Sequence, residues 1–178
     1  MHSLILGGAR SGKSAFAERL ALTSTREVVY IATAQAGDAE MRARIAQHRA
    51  ARPVGWASIE EPLRLASVLA REARVDRCLL VDCLTLWLSN LLCAEHPDSN
   101  TETEFARERA ALFTVLPQLP GHVVLVSNEV GTGIVPLGAL SRRYVDEAGR
   151  LHQQLAAHCG RVVFLIAGIP QVLKGTLS

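Results

Sequence analysis

The chain has 178 residues, 49% of them hydrophobic and 20% charged, with a net charge of +2. That is ordinary for one soluble globular domain with a sizeable core, and the mild, unclustered charge excludes a basic surface built for nucleic acid. Its apolar runs are too short, or too interrupted by charge, to span a bilayer.

The first apolar run, Leu4-Ile5-Leu6, reads as a buried strand. It leads into Gly7-Gly8-Ala9-Arg10-Ser11-Gly12-Lys13-Ser14, a G-x-x-x-x-G-K-S phosphate-binding loop, and then into a helix from Ala15 to Leu22. Strand, loop and helix in that order are what the motif needs. Glycines at 7 and 12 free the backbone to turn its N–H groups inward. The helix start adds unpaired N–H groups and a favourable dipole end. Lys13 brings a charge for the β- and γ-phosphates, and Ser14 a hydroxyl for Mg²⁺. The apolar start stops at Gly7 with no basic leader, so no secretory signal is expected.

Arg26 to Thr33 reads as a second strand, rich in β-branched residues. Thr33 at its end reads either as a nucleotide neighbour or as a strand's polar terminus. Asp38 to Ala51 reads as a helix with Asp38 as N-cap and Pro53 beyond its end. Arg44, His48 and Arg52 recur on it at i, i+4 spacing. Cations beside an imidazole keep it neutral and nucleophilic, and would stabilise charge on a phosphate under attack. Trp56 to Glu60 reads as a short strand. Glu60, Glu61 and Pro62 then open a helix, their carboxylates suited either to its N-terminus or to a ribose or base.

Arg77 to Asp82 is a strand whose terminal Asp is suited to ordering Mg²⁺ beside the phosphate loop. Leu84 to Leu92 and Phe105 to Leu116 read as helices around a polar segment, with His96 to Asn100 as a loop. His122 to Ser127 is a strand that runs into Asn128 to Gly133, a loop suited to lining a site. Ser141 to His158 is a long helix, Arg161 to Ala167 the last strand, and Gly168 to Ser178 a short tail. Cys78, Cys83, Cys93 and Cys159 lack metal-ligand spacing and read as thiols of a reducing cytoplasm. Strands and helices alternate, joined by long crossovers rather than hairpins. The expectation is therefore α/β: a mainly parallel sheet with helices on both faces, in one nucleotide-binding domain over residues 1–178. A GTP-driven switch is disfavoured, since Asp82 is followed by Cys-Leu-Thr and no N-K-x-D motif occurs.

The chain resembles the bifunctional adenosylcobinamide kinase/adenosylcobinamide-phosphate guanylyltransferase family of cobalamin biosynthesis. The resemblance lies in G-G-A-R-S-G-K-S at 7–14, Y-I-A-T at 30–33 and E-M-R-A-R-I-A-Q-H-R-A-A-R-P at 40–53. It continues in V-D-C-L-T-L-W at 81–87, V-L-V-S-N-E-V-G-T-G-I-V-P at 124–136 and G-R-L-H-Q at 149–153. Asp38-Ala39 and Leu137-Gly138-Ala139 depart from the family's usual acidic and polar runs. The resemblance implies a P-loop NTPase of RecA-like fold, a homotrimer, and two reactions. ATP or GTP phosphorylates adenosylcobinamide; GMP then passes from GTP to adenosylcobinamide phosphate through a guanylylated histidine, which matches His48. The implied nucleotide contacts are Gly7, Gly8, Ala9, Arg10, Ser11, Gly12, Lys13, Ser14, Ala32, Thr33, Ala34, Arg49, Ala50, Ala51, Arg52, Glu60 and Asp82. Ser14 and Asp82 are the implied Mg²⁺ ligands, and Lys13 and His48 the catalytic pair.

Overall fold

The computed structural model describes residues 1–35, 39, 42–43, 46, 49, 53, 55–93 and 101–177, with nothing to say of the side chains at 101 and 102. In chain order the elements are β1 (Ser3–Gly7), α1 (Lys13–Thr23), β2 (Glu27–Ala32), β3 (Ala57–Glu60), α2 (Leu65–Glu72), β4 (Arg77–Asp82) and α3 (Leu84–Cys93). There follow α4 (Thr101–Val115), a short 3₁₀ turn (Leu116–Gln118), β5 (His122–Asn128), α5 (Ala139–His158), β6 (Arg161–Ile166) and β7 (Ile169–Lys174). The described strands form one sheet in the order β3-β2-β4-β5-β1-β6-β7. Every pairing is parallel except that of β6 with β7.

Each buried strand divides its side chains between the two faces with a period of two. Leu4, Leu6, Val29, Ile31, Leu79, Val81, Val123 and Leu125 face one core, which α2, α3, α4 and α5 complete with Leu65, Leu69, Trp87, Leu88, Leu112, Leu151 and Leu155. Ile5, Val28, Tyr30, Leu80, Val124 and Val126 face the other, which α1 covers with Ala17 and Ala21. Strands buried on both faces must be apolar through their middle, and that is why they read as continuous hydrophobic runs. The expected mainly parallel sheet with helices on both faces is what is observed.

Three expectations need correction. The tail after Gly168 is a strand: β7 pairs antiparallel with β6 in a hairpin. Ala167 and Gly168 both take positive φ, 51° and 80°, as a two-residue hairpin turn requires. Ala167 gives no hint of that turn, and Pro170 argues against a strand except at a sheet edge, which is where β7 lies. The helix expected to open at Glu60 begins at Leu65. Glu61 still belongs to the sheet ladder, donating its N–H to Ala32 O at 2.8 Å, while its carboxylate accepts from the N–H groups of Leu63 and Arg64 at 3.0 and 2.8 Å. The helix expected from Phe105 starts earlier, at Thr101.

Of the helix expected over residues 38–51, Ala39, Arg42, Ala43, Ala46 and Arg49 are described, and all are helical.

Candidate nucleotide site

In open parallel sheets ligands gather beyond the carboxyl ends of the strands. The register brings the predicted residues to that edge. Gly7 stands opposite Asn128 on one side and Leu165 on the other, and Ala32 stands opposite both Asp82 and Glu60. The ends of β3, β2, β4, β5 and β1 thus form one continuous rim.

The phosphate loop rises from β1 and is held on both flanks. Glu129 N–H donates to Gly7 O at 3.0 Å, and Gly168 N–H donates to Ser11 O at 2.9 Å. Gly12 takes the left-handed conformation (φ 89°) as N-cap of α1 and supplies no capping side chain. The first-turn N–H groups of α1 therefore face the loop's interior with no side-chain cap, a ready anion seat. Lys13 Nζ donates to Gly8 O at 3.2 Å, which lays its ammonium over the loop. Ser11 Oγ is buried without a hydrogen-bond partner among the described residues. Such a hydroxyl costs about 1–3 kcal/mol unless an acceptor reaches it, and a phosphate oxygen is the acceptor this loop is shaped for. Ala9 and Arg10 are exposed at the loop's crest, Gly8 is half-buried, and Ser14 is half-buried on the first turn of α1.

Asp82 ends β4 half-buried, its Oδ2 accepting the Tyr30 hydroxyl at 3.1 Å. Thr33 is fully buried. Its Oγ1 donates to Cys83 O at 2.7 Å and accepts from Cys83 N–H at 2.9 Å. Of the two readings of Thr33, the structure therefore favours the architectural one: it pins the end of β2 to the turn after Asp82. Ala32 is buried beside it, Ala34 half-buried. Burial pushes the Cys83 thiol up, opposed by its contact with Thr85 and by the Lys13 charge, so this thiol stays protonated. Glu60 pairs with Arg49, bringing a cation of the His48 segment against the end of β3. His48, Ala50, Ala51, Arg52 and Arg44 lie outside the described residues.

The site also uses residues that sequence reasoning left aside. Tyr30 orients Asp82, and Asn90 Nδ2 donates to Thr33 O at 2.8 Å and Pro62 O at 3.1 Å, joining the ends of β2 and β3. Thr85 Oγ1 accepts from Asn128 Nδ2 at 2.9 Å and lies 3.0 Å from Cys83 Sγ. A signal for Tyr30 was present: period two places it on the α1 face, two residues before the strand's end.

Comparison with known proteins gives the family. Residues 3–173 match the profile of the family described as cobinamide kinase / cobinamide phosphate guanyltransferase. The bifunctional adenosylcobalamin biosynthesis protein CobP of Pseudomonas aeruginosa is 61% identical over 175 residues, covering 98% of each chain. CobU of Salmonella typhimurium, described in the same words, is 40% identical over 182 residues, covering 98% of this chain and 100% of its own. A crystal structure of the RadB recombinase superposes with a TM-score of 0.48 at 16% identity, covering 92% of this chain and 73% of that one.

Proposed function

We propose how this chain, which belongs to the cobinamide kinase / cobinamide phosphate guanyltransferase family, performs two transfers at one nucleotide site. The protein is a bifunctional enzyme of adenosylcobalamin biosynthesis that uses nucleoside triphosphates. What supports a shared site is the meeting, on one rim, of the uncapped start of α1, the Lys13 ammonium and the Asp82 carboxylate.

In the kinase step the aminopropanol hydroxyl of adenosylcobinamide attacks the γ-phosphorus of ATP or GTP. The new P–O bond forms as the bond to the nucleoside diphosphate breaks, and the hydroxyl's proton is released to water. The loop amides from Gly8 to Ser14 and the Lys13 ammonium hold the charge that spreads over the phosphate oxygens. The Ser14 hydroxyl and the Asp82 carboxylate are hard oxygen donors that suit Mg²⁺, and Tyr30 fixes the carboxylate's orientation. Mg²⁺ bound with the nucleotide would neutralise phosphate charge.

In the second step the neutral imidazole of His48 attacks the α-phosphorus of GTP and pyrophosphate leaves, giving a GMP–histidine phosphoramidate. An oxygen of adenosylcobinamide phosphate then attacks the same phosphorus and the imidazole departs, giving adenosylcobinamide-GDP. Covalent catalysis divides one displacement between two bulky phosphates into two easier ones. Arg49 and Arg52, adjacent to His48, would hold the α-phosphate's charge. The reading extends to one nucleotide-binding domain over residues 1–178, a homotrimer and a cytoplasmic enzyme, as the family resemblance suggests.

Separate assays of the two steps test this. His48→Ala should abolish guanylyl transfer and leave most kinase turnover, whereas Lys13→Ala should depress both. Equal loss of both activities in a folded His48→Ala protein would assign His48 a shared binding role and overturn the covalent path.

A further inference from the structure

The motif G-R-L-H-Q at 149–153 has no role in either transfer as described. Its histidine, His152, sits on α5 and is 7% exposed. Nε2 lies 2.8 Å from Ser127 Oγ, and Nδ1 lies 3.6 Å from Glu129 Oε2. Ser127 is itself buried, at 1% exposure. The imidazole thus bonds Ser127 and faces the carboxylate of Glu129, the two residues that flank Asn128 at the end of β5.

Those residues reach both halves of the nucleotide rim. On one side, Glu129 N–H holds Gly7 O, the first carbonyl of the phosphate loop, at 3.0 Å. The Glu129 carboxylate also accepts from Gly131 N–H at 2.6 Å, which folds the following loop back on itself. On the other side, Asn128 Nδ2 donates to Thr85 Oγ1, and Thr85 touches Cys83, the neighbour of Asp82. β5 lies between β4 and β1 in the sheet, so whatever fixes its end fixes the distance between Asp82 and the loop. Helix α5 is otherwise remote in sequence from both. Burial lowers the imidazole's proton affinity and the Glu129 carboxylate opposes that. A neutral ring can accept the Ser127 hydroxyl at Nε2 and turn an Nδ1–H towards Glu129.

We propose that His152 is a positioning residue of the nucleotide site: clamped between Ser127 and Glu129, it sets the spacing between the phosphate loop at Gly7 and the Asp82 end of β4. The inference rests on the phosphate-loop reading given under Proposed function. It predicts a defect in nucleotide affinity common to both transfers, because a displacement of a fraction of an ångström misaligns the two groups that hold one triphosphate. A histidine that merely fills and satisfies the core would affect stability alone.

The test uses the full chain and three variants. His152→Phe keeps the bulk and removes both ring nitrogens. His152→Asn restores a polar group able to meet the Ser127 hydroxyl. Ser127→Ala removes the partner and leaves the imidazole, and serves if His152→Phe does not fold. The readouts are thermal melting, equilibrium binding of a fluorescent GTP analogue with Mg²⁺, and kcat and KM of the kinase step. His152→Phe should raise the nucleotide Kd and KM about tenfold with a smaller fall in kcat, an effect of the size seen when groups supporting a site are removed. His152→Asn should recover to within about threefold, and Ser127→Ala should weaken binding by a similar small factor. A lowered melting temperature with unchanged Kd and KM in His152→Phe, or in Ser127→Ala where the former does not fold, would overturn the proposal. Lys13→Ala is run alongside. If it binds GTP as tightly as the parent, the phosphate-loop reading itself fails; if it loses binding while His152→Phe does not, only the positioning role falls.

Discussion

Gly7→Ala is the sharpest structural perturbation of the loop. A Cβ built at Gly7 would lie 2.5 Å from Ser11 Oγ and 2.7 Å from Leu165 O. The first contact can be relieved by turning a hydroxyl. The second cannot, because Leu165 O is backbone of β6 in register with Gly7 itself. Relief therefore requires β1 and β6 to separate locally, an overpacking strain of about 1–3 kcal/mol. For a chain of this size that lowers the melting temperature by about 3–10 °C. The same shift moves Gly7 O, to which Glu129 is bonded, so GTP affinity should fall as well. Gly8→Ala is the control: its Cβ would meet nothing within 4 Å, and the stability change should stay within about 0.5 kcal/mol. Thermal melting and GTP titration of both variants decide the matter. A Gly7→Ala protein that melts no lower than Gly8→Ala would refute the packing argument.

Ser11→Ala should leave nucleotide-free stability unchanged or slightly raised, since the hydroxyl has no partner among the described residues, while GTP affinity drops; chemical denaturation with and without GTP separates the two effects. Asp82→Asn keeps the shape and the Tyr30 contact but removes the negative charge, so the Mg²⁺ concentration for half-maximal kinase rate should rise about tenfold or more with little change in melting. Burial, with the Met1 ammonium and then Arg161 nearby, lowers the His122 imidazole from 6.5 to about 4. The unfolded chain then binds the extra proton first, so this contribution is complete above pH 6.5 and is lost as pH falls towards 4. The ring is partly exposed, which reduces the effect to about 1–2 kcal/mol. Buried His2 and His152 shift in the same direction. Melting followed from pH 7.5 to pH 4.5 should show a steeper fall for the parent than for His122→Asn.

The sheet was legible because its physics is local. Strands covered on both faces must be apolar through their middle, and β1, β2, β4, β5 and β6 each carry an apolar run of three to five residues, with polar residues confined to the strand ends. The phosphate loop was legible because glycine, lysine and serine at fixed spacing have few other uses. What escaped becomes visible only through partners, one adjacent in sequence and the others distant. β7 is largely exposed, and Pro170 and Gln171 interrupt its apolar residues, so it lacks the continuous run of a buried strand; pairing with the adjacent β6 makes it a strand. Thr33 read as a ligand contact or as a strand's polar terminus, and its two hydroxyl bonds to the turn at Cys83, fifty positions on, could not be foreseen from the strand alone. Tyr30 and His152 read as ordinary strand and helix residues, since their partners, Asp82 and Ser127, come from other elements. His48 was identified by family resemblance together with its arginine neighbours, a reading on which the geometry of the described residues does not bear.

The most direct measurement is of covalent GMP. The full-length protein is incubated with Mg²⁺ and GTP labelled at the α-phosphate, then denatured and mapped by peptide. The account predicts label that is acid-labile and alkali-stable, carried on the peptide containing His48 and absent from His48→Ala. No label on protein that transfers GMP to adenosylcobinamide phosphate, or label that persists in His48→Ala, would contradict it.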